Sequence, residues 1–161
     1  MMPDFEIKPA TVEDVPLILR FIKKLAEYER LADKVVATEE GLRASLFGTR
    51  RYAEVVLGYY QAEPVGFALF FHNYSTFLGQ PGIYLEDLFV NEEQRGKGFG
   101  KALLVYLARL ALERGCGRLE WWVLDWNEPS INFYKRLGAV PMDEWTVFRV
   151  TGAALEQLAN Q

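Results

Sequence analysis

Residues 52–75 read YAEVVLGYY, then QAEP, then VGFALFFHNYS. Two runs rich in valine, tyrosine and phenylalanine, with a short polar turn between them, pair as an antiparallel hairpin. A third run of the same kind, GIYLEDLFV (82–90), follows closely. The rest of the chain has to be built around these strands. Upstream, FEIKPA (5–10) alternates and reads as a strand ended by Pro9, and Thr11 with Asp14 has the spacing of a capping box. Val15, Ile18, Leu19, Ile22, Leu25 and Ala26 recur at helical spacing. Thr38 opens a second helix, which Gly48 closes as its C-terminal cap. Downstream, Leu103, Leu107 and Leu110 mark one face of a helix that stops at Gly115. RLEWWVL (118–124) reads as a strand, EPSINFYKRLG (128–138) as a short helix and EWTVFRV (144–150) as a last strand. The predicted order is βααβββαβαβ. It gives an α/β (α+β) fold with a mixed, mostly antiparallel central sheet and helices on both faces, and not a barrel. No repeat, low-complexity tract or linker divides the chain, so residues 1–161 are expected to form a single domain.

Between the third strand and the next helix lies EEQRGKGFGKALL (92–104), with glycine at 96, 98 and 100. Glycine at a helix start costs up to about 1 kcal/mol relative to alanine, so three of them need a reason. A P-loop requires G-x-x-x-x-G-K-[ST] and a dinucleotide fingerprint G-x-G-x-x-G early in a βαβ unit; neither spacing is present. What remains is a strand, R-G-K-G-F-G, and an amphipathic helix whose first N–H groups can hold a diphosphate. Bare backbone lets the oxygens approach, and Arg95, Lys97 and Lys101 add positive charge. The alternative is a tight strand-to-helix turn with solvated basic residues.

The net charge of −4 over 161 residues argues against nonspecific nucleic-acid binding and is compatible with a cationic substrate. The lone Cys116 permits no intrachain disulfide and no cysteine metal cage, and no metal is expected. No run approaches the roughly 20 apolar residues of a membrane helix. MMPDFEIKPA at the start carries no apolar signal region, so a cytoplasmic protein without membrane or nucleic-acid partners is expected.

YLEDLFVNEEQRGKGFGKALL (84–104) followed by WNEPSINFYKRLGA (126–139) resembles the two signature stretches of the GNAT N-acetyltransferase superfamily. Together with IKPAT (7–11) and LAEYE (25–29), these strings are similar to the diamine (spermidine/spermine) and thialysine acetyltransferase branch. They recur in order across nearly the whole chain. The turn at QAEP is shorter than in many eukaryotic members. The resemblance implies acetyl-CoA as co-substrate, with the diphosphate held at Arg95, Gly96, Lys97, Gly98, Phe99, Gly100 and Lys101. It places the exposed main chain of Leu88, Phe89 and Val90 along the cofactor. Asn127, Glu128, Pro129 and Ser130 would lie beside the pantetheine arm and sulfur. It further implies a homodimer, with EWTVFRV near the subunit contact.

Acyl transfer to an amine needs a neutral amine, a donor for the thioester oxygen as it gains charge, and a proton for the leaving thiolate. The resemblance assigns the last role to Tyr134; spacing alone, with Ile131 and Leu137, favours a core aromatic. Glu86 is the candidate for steering or deprotonating the amine through a water. Strict alternation would put Tyr84, Glu86 and Leu88 on one face and Leu85, Asp87 and Phe89 on the other, leaving Asp87 to a structural role. The N–H near Leu88 is the candidate donor to the thioester oxygen. Tyr28 and Glu29 match the family's acceptor pair, and Glu120, Trp121 and Trp122 match further acceptor-lining positions, although the aromatics also suit core or dimer contacts. Asn127 before Glu128–Pro129 also fits a helix N-cap. His72 reads as structural, and Cys116 lacks a partner for covalent catalysis, which favours direct transfer in a ternary complex. The leading expectation is transfer of acetyl from acetyl-CoA to a primary amine of a polyamine, diamine or lysine-like amino acid. A protein or peptide amine as acceptor and a CoA-binding module without turnover are the alternatives.

Overall fold

The computed structural model describes residues 2–161. It resolves into two compact units, one running to Trp122 and a second spanning Val123–Gln161. The first contains strands β1 (Phe5–Pro9), β2 (Glu54–Tyr60), β3 (Glu63–Ser75), β4 (Gln80–Val90) and β5 (Leu119–Trp121). Its helices are α1 (Val15–Tyr28), α2 (Glu39–Phe47) and α3 (Phe99–Glu113). The strands lie in chain order in one sheet, antiparallel from β1 to β4, with β5 parallel to β4. The crossover through α3 is what allows that one parallel pair.

The predicted hairpin is present, with a tighter turn than QAEP. Gln61 and Ala62, at φ 51° and 68°, make a two-residue connection. Glu63 and Pro64 already pair with Tyr60 and Tyr59. Double positive φ matches the twist of the flanking strands, which outweighs the cost at two non-glycine residues.

One face of the sheet is closed by α1 and α2. Ile18, Phe21, Leu25 and Leu46 pack there on Val55, Leu57, Phe67 and Phe89. Phe21 stacks on Phe67 with ring centroids 5.5 Å apart. Helix α3 contacts β1, β3 and β4 and buries Leu103, Leu104 and Leu107. The capping box appears as predicted, with Asp14 Oδ2 accepting from the Thr11 N–H at 2.8 Å. Thr38 caps α2 by accepting from the Gly41 N–H at 3.0 Å. Gly48 ends α2 at φ −80°, so it is needed for space and not for a left-handed turn; a Cβ there would collide with the Ala44 carbonyl. Arg114, at the end of α3, donates two bonds to Glu54 at 2.7 and 2.9 Å and lies 3.4 Å from His72 Nε2. His72 thus takes part in a structural network.

The second unit contains α4 (Glu128–Arg136) and α5 (Gly152–Ala159). The predicted last strand at 144–150 is absent: these residues form no regular element and are exposed. An alternating apolar pattern makes a strand only where another strand supplies the ladder, and no strand pairs with 144–150 in this chain. The order therefore ends in a helix, and the sheet has five strands among the described residues. β5 is also shorter than RLEWWVL, and Trp122 falls outside it.

Candidate active site

Two hydrogen bonds fix the backbone phase of β4. The Ile83 N–H donates to the Arg118 carbonyl at 3.0 Å, on the β5 side. The Asn91 N–H donates to the Val65 carbonyl at 2.8 Å, on the β3 side. Residues eight apart in a regular strand point the same way, so the phase slips between them. The slip is at Glu86: Leu69 pairs with Asp87 and Phe70 with Leu85, leaving Glu86 as the extra residue of a bulge. Beyond it, Asp87 and Phe89 turn their backbones to β3, while Leu88 and Val90 turn theirs to the opposite edge. β5 pairs with β4 only at residues 83–85, so no strand takes those N–H and C=O groups. Leu88 thus carries its N–H on the open edge, whereas the backbone of Phe89, expected along the cofactor, serves the sheet and its ring is buried in the core.

The same bulge overturns the predicted separation of the two acids. Leu69, the partner of Asp87, packs against the cluster formed with α1 and α2. Burial, then the charges of Glu86 and Glu29, push the Asp87 carboxyl up to about 7. Glu29, just after α1, is itself held above the usual carboxylate range by burial and by Glu86. Glu29, Glu86 and Asp87 therefore sit within one another's field, with Glu86 the exposed member. Burial beside neighbouring carboxylates makes this a place suited to cationic groups, where Asp87 retains a proton near neutrality. Asp87, read as structural from sequence, belongs to this group.

Arg95 lies against Tyr28, the residue before Glu29. Its guanidinium lies 4.6 Å from the Tyr28 ring centroid and 5.3 Å from that of Phe89. Its Nε donates to the Val90 carbonyl at 3.0 Å. Gly96 and Gly98 follow at φ 80° and 86°, a left-handed backbone that only glycine adopts cheaply. Gly98 is the N-cap of α3, whose first intrahelical bond runs from the Ala102 N–H to the Gly98 carbonyl at 3.0 Å. The N–H groups of Phe99, Gly100 and Lys101 precede any acceptor within the helix. The Phe99 ring is buried and stacks on Phe5 at 4.3 Å, so only its backbone can serve a ligand. Lys97 donates to Gln94 at 2.8 Å and lies over the Tyr60 ring.

The remaining predicted residues are distributed as follows. Trp122 is exposed and meets the Tyr84 ring edge-on at 5.7 Å. Glu120 accepts from Asn73 at 3.0 Å and lies 3.8 Å from Arg118, a network separate from the carboxylate cluster. Trp121 is half-buried on β5. In the second unit, buried Asn127 caps α4, accepting from the Ser130 N–H at 3.4 Å, with Glu128 and Pro129 in the first turn. Tyr134 is half-buried one turn further, its ring 5.5 Å from that of Phe133. Among the described residues no group of three or more His, Cys, Asp or Glu side chains is arranged to hold a metal ion, and no helix is long and apolar enough to cross a membrane.

The profile of the acetyltransferase (GNAT) family matches residues 22–139. The chain belongs to this family. It is an acetyltransferase. It is 39% identical to a thialysine N-epsilon-acetyltransferase of Bos taurus, over 96% of this chain and 97% of the relative. It is 36% identical to an L-ornithine N5-acetyltransferase of Arabidopsis thaliana, over 94% of this chain and 86% of that protein. An integron cassette protein from the mobile metagenome of V. cholerae superimposes with a TM-score of 0.83 at 28% identity, covering 99% of this chain and 100% of the other.

Gly100 tests whether this acetyltransferase's loop fits a diphosphate. Its φ is not in the left-handed region, and a Cβ there would meet nothing nearer than Val90 Cγ2 at 4.0 Å. The protein itself thus gives no reason for a bare Cα at that point. A ligand lying against the helix start does. The donor set is three unclaimed helix N–H groups beside Lys101, chemistry suited to anionic oxygens.

Proposed function

We propose that this enzyme transfers the acetyl group of acetyl-CoA to a primary amine of a small cationic acceptor, a polyamine, diamine or lysine-like amino acid, by direct transfer. The observation that carries the reading is the Glu29–Glu86–Asp87 cluster beside the open edge of β4. Bound acetyl-CoA supplies an activated acyl group as a thioester.

The chain's own residues do the rest. The N–H groups of Phe99, Gly100 and Lys101, with those of the glycine turn, hold the diphosphate. The Leu88 N–H, freed by the bulge, donates to the acyl oxygen as charge develops there. Glu86 meets the ammonium, and Asp87, with a proton affinity near neutral pH, receives the proton the amine must lose. A free alkylamine holds its proton to about pH 10, so this step sets the rate below that. Glu29 and Tyr28 receive the acceptor's distal cation by charge and aromatic contact. Asn127–Ser130 lie along the pantetheine arm, and Tyr134 returns a proton to the thiolate; for both roles the motif match is the support.

The whole of 1–161 works as one acetyltransferase domain, in the cytoplasm, as a homodimer. Val140, Met142, Trp145, Val147 and Phe148 lie exposed in the second unit, as a subunit contact would require. The testing experiment is thiol release from acetyl-CoA across spermidine, putrescine, thialysine, ornithine and lysine, with Tyr134→Phe alongside. Turnover with at least one of these amines is expected, together with a fall in turnover but near-normal CoA affinity in the variant. Tight CoA binding without thiol release for any amine would leave only a binding module.

A further inference from the structure

Arg95 opens the R-x-x-G-x-G stretch and would ordinarily be counted as a phosphate ligand, yet its side chain is committed elsewhere. It is flanked by the Tyr28 ring at 4.6 Å and the Phe89 ring at 5.3 Å, and its Nε donates to the Val90 carbonyl at 3.0 Å. Val90 belongs to the edge of β4 that the bulge frees, Phe89 to the core beneath it, and Tyr28 to the last turn of α1. The residue after Arg95 begins the left-handed glycine turn. One guanidinium therefore links three pieces: the α1 end, which carries Tyr28 and Glu29; the edge that offers Leu88 and Val90; and the diphosphate loop. Planarity matters here. A guanidinium can stack on an aromatic ring while donating in its own plane, which an ammonium cannot do.

We infer that Arg95 is a positioning residue that couples the acceptor end of the site to the coenzyme end, so that each ligand tightens binding of the other. The inference rests on the acceptor and coenzyme assignments proposed above. Ordering of the 95–101 loop by CoA fixes Arg95, which fixes the Tyr28 ring against which the amine binds; linkage makes the effect reciprocal. An exposed cation–π contact with one hydrogen bond is worth about 1 kcal/mol, so the expected coupling is roughly fivefold.

The test is calorimetric titration of spermidine and of thialysine into the full chain, without CoA and with saturating CoA, and of CoA alone. The proteins are wild type, Arg95→Lys, Arg95→Gln and Tyr28→Leu, each checked for folding by circular dichroism. For wild type, CoA should tighten amine binding about fivefold. Both Arg95 variants and Tyr28→Leu should abolish that gain, with CoA affinity within about threefold of wild type. Arg95→Lys is the decisive variant, because it keeps a charge able to reach a phosphate but loses the stack and the Nε bond. Retained coupling in Arg95→Lys would overturn the inference. So would a tenfold or greater loss of CoA affinity in Arg95→Gln with amine binding unchanged, the behaviour of a phosphate ligand. Wild type that binds both ligands without mutual effect would sink the coupling alone. Wild type that binds neither amine would sink the acceptor assignment along with it.

Discussion

Asp87 keeps its proton up to about pH 7 because it is buried beside Glu86 and Glu29, whereas an unfolded aspartate releases its proton near pH 4. The folded chain binds this proton more tightly than the unfolded one. Its contribution to stability is therefore fully present below pH ~4, declines as pH rises towards about 7, and is flat beyond that. Asp87→Asn removes the titration. It should be more stable than wild type at pH 8, by on the order of 1–3 kcal/mol, and indistinguishable at pH 4. Urea denaturation at the two pH values checks this, and equal midpoints at pH 8 would mean the carboxyl is not strained. The same variant should lower turnover of the amine at pH 8, where the wild-type carboxylate is ionised, as expected of a lost proton acceptor. Gly100→Ala should behave oppositely. With room for the Cβ and helical φ, it should leave stability unchanged or raise it by about 0.5 kcal/mol, while weakening CoA by tenfold or more. Unaltered CoA affinity would count against the diphosphate grip. Glu86, Arg95 and the glycines could be picked out from the sequence by their types and spacing. Asp87 could not, because alternation is a local rule. One inserted residue at Glu86 is invisible until the register of the opposite strand is known.

At the scale of elements, the strands with close neighbours in sequence were legible, since each run's partner follows within a few residues. β2, β3 and β4 pair as consecutive hairpins. The segment 144–150 was not legible, because apolar alternation records what a stretch would bury and not what pairs with it. Helix α5 was missed although its apolar periodicity matches that of α3. The element central to the candidate site is β4, paired with β5 at residues 83–85 and only with β3 beyond the bulge. Amide exchange can read this residue by residue. Leu88 and Val90, whose N–H groups face the open edge, should exchange at least tenfold faster than Phe89, which faces β3. Addition of CoA should slow Leu88 and leave Phe89 unchanged. Equal protection of 88, 89 and 90 in the free protein would show that the phase slip at Glu86 is absent, and the proposed donor to the acyl oxygen would go with it.

For the molecule as a whole, the two units differ in how they treat apolar surface. The first buries Phe21, Phe67 and Phe70 almost completely. The second leaves Trp145 75% and Phe148 91% exposed, with Val140, Met142 and Val147 exposed around them. Exposed single aromatics are ordinary, but five large exposed apolar residues within nine positions are what an association surface would supply. Fully covering a side chain of this size is worth roughly 1.5–3 kcal/mol, so burying two or three of them offsets much of the cost of bringing two chains together. The family resemblance names a second copy of the chain as the occupant. Sedimentation equilibrium at micromolar concentration should accordingly return twice the mass of one chain. Phe148→Glu places a charge in the contact and should weaken self-association by at least a hundredfold, shifting the mass to that of one chain while circular dichroism stays unchanged. A wild-type chain that sediments as a monomer at 50 µM (roughly the concentration of a −6 kcal/mol association) would leave this patch without its partner.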